Sequence, residues 1–248
     1  GKGGFKAVFA THVDTSTGVR VDAEAITSLA RRHDLVSVFD GVCATAAERF
    51  EMEAWGADVY LTSSQKAIGL PMGLALLVAS PRALAARAAL SVAPPMSLDL
   101  EQWLPIMRAY EERRPSYFST PATNLVMALD VSLKQQLECQ HGALSGMAAR
   151  FALHQRAADA RRGGWDAMGL ELLPQRQLAA NTLSAVRYPA GVGPTLPKHV
   201  AAHGVIVAGG LHPACKAEYF RVGHMGVVVE RPEALLRTIA AVGAALSE

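Results

Sequence analysis

Cysteine is scarce in this sequence of 248 residues. Its three cysteines, Cys43, Cys139 and Cys215, are odd in number and far apart along the chain. That arrangement excludes both a disulfide framework and a Cys-x-x-Cys metal site. Unpaired cysteines are typical of a reducing compartment. The sequence therefore favours an intracellular location, without separating peroxisome, cytoplasm and mitochondrion.

An excess of charge of one sign is also missing. The 24 lysines and arginines nearly balance the 22 aspartates and glutamates, and the basic residues are scattered. Without a basic stripe, nucleic acid is not an expected partner. Three histidines near strand ends, His12, His212 and His224, lack metal-ligand spacing with Cys, Asp or Glu, so no metal is expected.

Long apolar runs are absent too. The longest covers residues 67–79 and is interrupted by Gly69, Pro71 and Gly73. A bilayer span needs ~20 consecutive apolar residues, so no membrane segment is expected. Half of all residues are nevertheless hydrophobic. The composition predicts a globular chain with a sizeable core, arranged as one large domain or two modest ones.

Strand and helix patterns alternate in the first half of the chain. Apolar, β-rich runs at residues 7–13, 35–39, 57–61 and 73–78 predict strands. Between the first two, Asp22 is a plausible helix N-cap, and Arg31 and Arg32 suit the last turn of the helix. This order predicts an α/β fold with a mainly parallel sheet.

The second half has a different character. Helices are expected near residues 100–111, with Pro105 at a boundary or kink, and from Thr120 as N-cap and Pro121 as first residue toward Gly142. A long helix at 144–168 is followed by short strands at 183–188, 205–208 and 219–222, and by helices at 196–202 and 232–246. We expect a large domain at 1–142 and a smaller C-terminal α/β domain at 143–248.

Polar residues follow three strands of the first half, where parallel α/β sheets bind ligands. The clusters are residues 15–18, Asp40 with Gly41, and residues 62–66. Asp40 is either an ordinary turn aspartate or a carboxylate that pairs with a buried cation. Lys66 is either a lysine that reaches solvent from a loop or a nucleophile with a lowered pKa. Local sequence leaves both choices open.

Together these segments resemble the class V aminotransferases. The resemblance rests on HVDTSTG at 12–18, FDGVC at 39–43 and LTSSQKA at 61–67. It continues with EAWGAD at 53–58, STPA at 119–122 and FRVGHMG at 220–226. The alanine–glyoxylate and serine–pyruvate aminotransferases are the most similar branch. The resemblance implies a fold-type I transferase that depends on pyridoxal 5'-phosphate, with an incomplete large domain.

The resemblance also implies a role for each matching residue. Lys66 would hold the cofactor as a Schiff base and, once released, serve as general base. Asp40 would keep the pyridine nitrogen protonated, so that the ring accepts electrons. Ser16 would reach the phenolic oxygen, and Gln65 the same oxygen or the phosphate. Arg221 would clamp the substrate carboxylate with two parallel hydrogen bonds.

Tyr117 and Thr120 match the segment of this family that reaches the phosphate bound by a neighbouring subunit. The resemblance therefore implies a homodimer with shared active sites, acting on small amino acids and 2-oxo acids. The simpler interpretation is that Thr120 caps a helix and Tyr117 packs in a loop. Both can hold, because a helix N-terminus is itself an anion site.

The sequence departs from the family at its N-terminus. The family's phosphate-binding loop and ring-stacking aromatic residue would precede Gly1, so we expect the 248-residue chain alone to bind the cofactor weakly. The leading expectation is transfer of an amino group from alanine or serine to glyoxylate or pyruvate. Cysteine desulfuration is a weaker alternative, because Gln65 precedes Lys66 and Cys139 falls in a helical pattern. A non-catalytic homologue that acts as an interaction subunit is the other alternative.

Overall fold

The N-terminal half forms a four-stranded sheet. The computed structural model describes residues 4–248. Strands β1 (Ala7–Thr11), β2 (Val36–Asp40), β3 (Val59–Ser63) and β4 (Ala75–Ala79) lie side by side in chain order. The pairs β1–β2 and β2–β3 are parallel, and β4 is antiparallel to β3. We call this the first sheet.

One face of the first sheet is covered by α1 (Ala23–Arg32) and the short α2 (Met52–Trp55). Asp22 caps α1 by accepting a hydrogen bond from the Ala25 N–H, as the sequence predicts. Phe39 and Tyr60 point to this face and pack around Phe50. The sheet therefore has a true apolar core on this side.

Three further helices follow the first sheet. They are α3 (Pro81–Ala88), α4 (Leu100–Glu111) and α5 (Thr123–Leu137), with a 3₁₀ turn at Met96–Leu98. Buried Asp99 joins α3 to α4, because its carboxylate accepts two hydrogen bonds at 2.7 Å from the Arg87 guanidinium. A small hairpin, β5 (Gln140–His141) and β6 (Leu144–Ser145), then leads to the next helix.

The C-terminal part is built around a second sheet. After α6 (Gly146–Ala167) and a 3₁₀ turn at Arg176–Leu178 come β7 (Leu183–Arg187), α7 (Leu196–Ala202), β8 (Ala208–Gly209), β9 (Tyr219–Gly223), a 3₁₀ turn at Gly226–Glu230 and α8 (Pro232–Leu246). The second sheet has the antiparallel order β7–β9–β8. Trp165, Val200, Phe220 and Val242 are fully buried in its core.

Residues 18–20 and 178–180 join the two sheets. The Arg20 N–H donates to Leu178 O at 2.7 Å, and the Ala180 N–H donates to Gly18 O at 2.9 Å. Beside this join, the buried carboxylate of Glu48 accepts hydrogen bonds from Arg20 at 3.0 Å and from the Asn181 side chain at 3.1 Å. Burial raises the pKa of Glu48, and these partners oppose the rise. The join therefore depends on a satisfied buried carboxylate.

The mainly parallel α/β architecture is confirmed, and several local expectations need correction. Helix α5 begins at Thr123 and not at Thr120, whose hydroxyl bonds the Tyr117 hydroxyl instead of a backbone N–H. Of the two positions expected for Pro105, a helix boundary or a kink, the boundary is excluded, because Pro105 lies inside α4. Cys139 lies just beyond the last residue of α5 and outside any helix. The predicted strand at 205–208 is reduced to Ala208–Gly209.

Candidate active site

The carboxyl ends of β1, β2 and β3 meet at one edge of the first sheet. Thr11 pairs with Asp40, and Asp40 pairs with Leu61, so the three side chains share one sheet face. The loops that follow these strands carry Ser16, Gly41 and Lys66. Parallel α/β folds bind ligands at such an edge, because several loops and unpaired polar groups converge there.

Asp40 is the last residue of β2 and is half-buried. Its Oδ1 accepts a hydrogen bond from the Val42 N–H at 2.9 Å. Within residues 4–248, Oδ2 has no hydrogen-bond or salt-bridge partner. The carboxylate is thus held in place at one oxygen, and the other is available to a ligand.

Gly41 follows Asp40, and only glycine fits there. The ring of Tyr60 packs against its backbone so closely that an added Cβ would lie 2.1 Å from the ring carbon Cζ. The Gly41 N–H donates to Leu61 O at 2.8 Å, which continues the pairing of β2 with β3. The sequence pattern Asp-Gly therefore has a steric cause in this fold, beyond its ordinary preference for turns.

Lys66 lies in a tight turn, three residues beyond the end of β3. The Gly69 N–H donates to Lys66 O at 2.9 Å, and the Leu70 N–H donates to Ser64 O at 3.1 Å. We call residues 64–70 the lysine turn. The Lys66 side chain is half-buried and its ammonium has no partner in the part of the chain that the structure describes, whereas the neighbouring Gln65 is exposed.

Ser16 sits in a loop organised by Asp14. The Asp14 carboxylate accepts hydrogen bonds from the Ser16 N–H at 2.9 Å, from the Ser16 hydroxyl at 2.7 and 2.8 Å, and from the Thr17 hydroxyl at 2.6 Å. Partial burial opposes ionisation of Asp14, but these hydrogen bonds outweigh it and lower its pKa. The Ser16 hydroxyl thus donates within its own loop and keeps lone pairs free to accept from a ligand.

Arg221 on β9 reaches this loop from the second sheet. Its Nε donates to Gly209 O at 2.9 Å, and its Nη1 donates to Thr15 O at 3.1 Å. Nη2 has no hydrogen-bond partner among residues 4–248. The structure therefore brings a half-buried guanidinium, 206 residues away in sequence, beside the Ser16 loop.

Tyr219 is a site residue that the sequence did not reveal. Its fully buried hydroxyl donates to Ser16 O at 2.6 Å and accepts from the N–H groups of Leu211 and His212 at 2.9 and 2.8 Å. It therefore fixes both the Ser16 loop and the segment before β9. Asp14 was missed as well, although Asp followed by Ser and Thr is a turn signal that could have identified it.

Tyr117 and Thr120 are not joined to these residues. Their hydroxyls bond each other at 2.8 Å in the segment between α4 and α5, and 73% of Tyr117 is exposed. No hydrogen bond within residues 4–248 connects either side chain to the lysine turn or to Asp40. They lie on the surface, where a second chain could contact them.

The residues present fit pyridoxal 5'-phosphate in their chemistry. Among residues 4–248, a carboxylate with one free oxygen and a half-buried lysine without a hydrogen-bond partner follow neighbouring strands of the first sheet, and an arginine with a free Nη2 contacts the Ser16 loop. In addition, Ser63 Oγ is buried without a hydrogen-bond partner within the described residues, and β-strand alternation places it on the face of Asp40.

Across the same described residues, no group of three or more His, Cys, Asp or Glu side chains could hold a metal ion. No helix among them is long and apolar enough to cross a bilayer.

Comparison with known proteins identifies one family. The family described as Aminotransferase class-V matches residues 3–134. The alanine–glyoxylate aminotransferase 1 of Saccharomyces cerevisiae is 37% identical, with 90% of this chain and 58% of that protein covered. The serine–glyoxylate aminotransferase of Arabidopsis thaliana is 31% identical, with 91% and 54% covered.

A solved structure shows the same fold. The alanine–glyoxylate aminotransferase from Nostoc sp. superposes with a TM-score of 0.85 at 26% identity, over 96% of this chain and 61% of that one. The chain belongs to the class V aminotransferase family. It spans about 60% of the length of the relatives it matches.

Proposed function

We propose that the protein of which this chain is a part is a pyridoxal-phosphate-dependent aminotransferase that moves an amino group from alanine or serine to glyoxylate or pyruvate. With alanine and glyoxylate the products are pyruvate and glycine. The observation that carries the proposal is the position of Asp40 at the carboxyl end of β2 and of Lys66 in the turn that follows the neighbouring parallel strand β3. The relatives named for alanine–glyoxylate and serine–glyoxylate transfer support the choice of substrates.

The proposed roles follow from the chemistry of each group. The cofactor, when bound, supplies an aldehyde for covalent attachment and a ring that accepts electrons. Lys66 Nζ would attach the cofactor covalently through its aldehyde. The same amine would serve as the general base that takes and returns the proton moved during transfer. Asp40 Oδ2 would accept a hydrogen bond from the protonated ring nitrogen.

The remaining roles concern orientation. Ser16 Oγ and exposed Gln65 would contact polar oxygens of the cofactor. Arg221, held by Gly209 O and Thr15 O, would present its free Nη2 edge to the substrate carboxylate. Because Tyr117 and Thr120 lie on the surface, we propose that they serve the phosphate site of a second copy in a homodimer.

The two sheets support a division of this chain near Gly142. The hairpin formed by β5 and β6 lies between α5 and α6, and the core around Trp165 and Phe220 is formed entirely by residues after it. Residues 1–142 would then carry the lysine and the carboxylate, and residues 143–248 the arginine. An active site between two such units allows their relative position to respond to substrate.

Covalent labelling tests the proposal. The chain is incubated with a large excess of pyridoxal 5'-phosphate, reduced with borohydride, digested and analysed by peptide mass spectrometry. The expected result is a phosphopyridoxyl group on Lys66, lost in Lys66→Ala and retained in the exposed-lysine control Lys134→Arg. Labelling spread evenly over all lysines would contradict the proposal.

A donor-by-acceptor activity screen tests the substrates. The protein is assayed with alanine, serine and aspartate as donors and with glyoxylate and pyruvate as acceptors. Activity with alanine or serine and its loss in Arg221→Lys by roughly 100-fold in kcat/KM are expected, because an ammonium cannot form the bidentate pair. Release of sulfide from cysteine as the main reaction would contradict the assignment.

A further inference from the structure

A buried histidine on α6 is hydrogen-bonded toward the lysine turn. His154 is fully buried, and its Nδ1 lies 2.8 Å from Arg150 O. Its Nε2 lies 3.2 Å from the backbone nitrogen of Gly226. A backbone N–H can only donate, so Nε2 is the acceptor and the proton of the neutral ring resides on Nδ1. Both ring nitrogens are therefore satisfied by backbone groups.

Gly226 in turn packs directly on the lysine turn. Its φ is +75°, a conformation that L side chains rarely adopt. A Cβ at this position would lie 3.3 Å from Lys66 O and 3.7 Å from the Cα of Gly69. The Gly226 carbonyl also accepts a hydrogen bond from Arg150 Nη2 at 3.4 Å. The backbone at 226 is thus fixed from α6 on one side and contacts the lysine turn on the other.

The apolar surroundings fit the same arrangement. Met225 packs against the cluster that contains Ala67 and Ile68, and Val227 lies within 3.6 Å of the position of a Cβ on Gly69. Segment 225–227 therefore covers the lysine turn. Within residues 4–248, α6 makes two direct hydrogen bonds to Gly226: His154 Nε2 accepts from its N–H, and Arg150 Nη2 donates to its carbonyl.

We propose that His154 is a positioning residue for Lys66. It acts through Gly226. Its Nε2 accepts a hydrogen bond from the Gly226 N–H, and the Gly226 backbone packs on the lysine turn and keeps it in place beside the first sheet. This inference rests on the proposed function of Lys66 and adds to it a residue from the opposite part of the chain. His154 touches neither the substrate nor the cofactor.

Two substitutions to amide side chains separate its two hydrogen bonds. In His154→Gln the side-chain Oε1 takes the place of Nε2 and still accepts from Gly226. In His154→Asn the side chain is too short to reach Gly226, although its amide can still donate to Arg150 O. A positioning role therefore predicts that Gln preserves the lysine turn and that Asn does not. Because Asn is also smaller than Gln, a purely space-filling role predicts a general loosening of the core around α6 in the Asn variant, as in any core truncation, and no selective effect on the lysine turn.

Hydrogen exchange of the amides of Gly69 and Leu70 measures the lysine turn without cofactor, since both donate within it. We expect about tenfold faster exchange in His154→Asn and wild-type exchange in His154→Gln. Val200→Ala is the matched control, because it destabilises the buried core of the second sheet without touching segment 225–227. Equal exchange in the Asn and Gln variants, or the same acceleration in Val200→Ala, overturns the proposal.

If His154→Asn does not fold, Gly226→Ala replaces it. The added methyl group requires a strained φ and presses on Lys66 O, so exchange at Gly69 and Leu70 is again expected to rise. Unchanged exchange in this folded variant also overturns the proposal.

Labelling of Lys66 by pyridoxal 5'-phosphate and borohydride separates the two proposals. The concentration for half-maximal labelling should rise about threefold or more in the Asn variant and stay unchanged in the Gln variant. If wild-type Lys66 is not labelled but the exchange pattern is as expected, the proposed function fails and the positioning role stands. If Lys66 is labelled and exchange is alike in all variants, the positioning role fails alone.

Discussion

The two sheets differ in how completely their apolar faces are covered. Around the second sheet, Trp165, Phe220 and Val242 are fully buried, and α6, α7 and α8 contribute to one core. The first sheet is covered on the face of Phe39 and Tyr60, but on the opposite face Phe9 is 63% exposed and Leu77 is 50% exposed. Asp40 lies on that open face.

This difference indicates which sheet contributes most of the stability and which sheet carries the proposed active site. Burial of apolar area provides most of the stabilisation, so the second sheet should dominate the free energy of unfolding of this chain. The proposed lysine and carboxylate belong to the sheet with the open face. That sheet matches the family along residues 3–134, and the relatives are considerably longer than this chain.

The largest expected effect comes from acid, through three buried histidines. The pKa is lowered to about 4 for His12, to about 4 for His154 and to about 3 for His224, mainly by burial and in smaller part by the charge of nearby arginines. The cations concerned are Arg20 beside His12, Arg150 beside His154, and Arg161 and Arg162 beside His224.

The sign of the effect follows from linkage. The unfolded chain takes up protons near pH 6.5 and the folded chain does not, so stability is full above pH 6.5 and falls as the pH drops toward 4. Each histidine should remove roughly 2 kcal/mol by pH 5. Urea unfolding between pH 8 and pH 5 measures the loss. In His154→Gln the loss in free energy of unfolding between pH 8 and pH 5 should be smaller by the roughly 2 kcal/mol of one histidine. An unchanged loss would show that His154 does not titrate this way.

A smaller effect is expected from truncating a core side chain. Phe220→Ala should lower the free energy of unfolding by about 3–5 kcal/mol, because it leaves a cavity beside Trp165. Phe9→Ala, the matched change on the open sheet face, should cost less than about 1 kcal/mol. Denaturant unfolding of both variants compares the two regions directly. Equal losses would mean that the open face is covered in solution.

An effect smaller than that of Phe220→Ala is expected at the contact between the two regions. Tyr219→Phe keeps the ring but leaves the Leu211 and His212 N–H groups and Ser16 O without this partner. A loss of about 1–3 kcal/mol is expected in thermal unfolding, with faster amide exchange in the Ser16 loop. Phe220→Ala serves as the contrast, since it should destabilise the second core without selective loosening of that loop.

Much of the fold could be predicted from the sequence, because its signals are local. The Asp22 cap, the apolar strands and the last helix beginning at Pro232 depend on neighbouring residues and appear in the structure as expected. Thr120 was wrong as a cap because α5 begins only at Thr123, and the Thr120 hydroxyl bonds the hydroxyl of nearby Tyr117 instead of a helix N–H. For Pro105 the structure excludes a helix boundary, one of the two positions expected, because α4 continues through it.

The sequence by itself determined the family, the α/β alternation and the residue types that a lysine-based site needs. Each of these depends on short stretches of neighbouring residues. Only the tertiary structure decided which distant groups meet. It places Arg221 and Tyr219 on the Ser16 loop, and it supports the Lys66 turn through Gly226 and His154. The physical reason is that such contacts join residues from 72 to 206 positions apart, and their free energy depends on packing and hydrogen bonds that exist only once both sheets have formed.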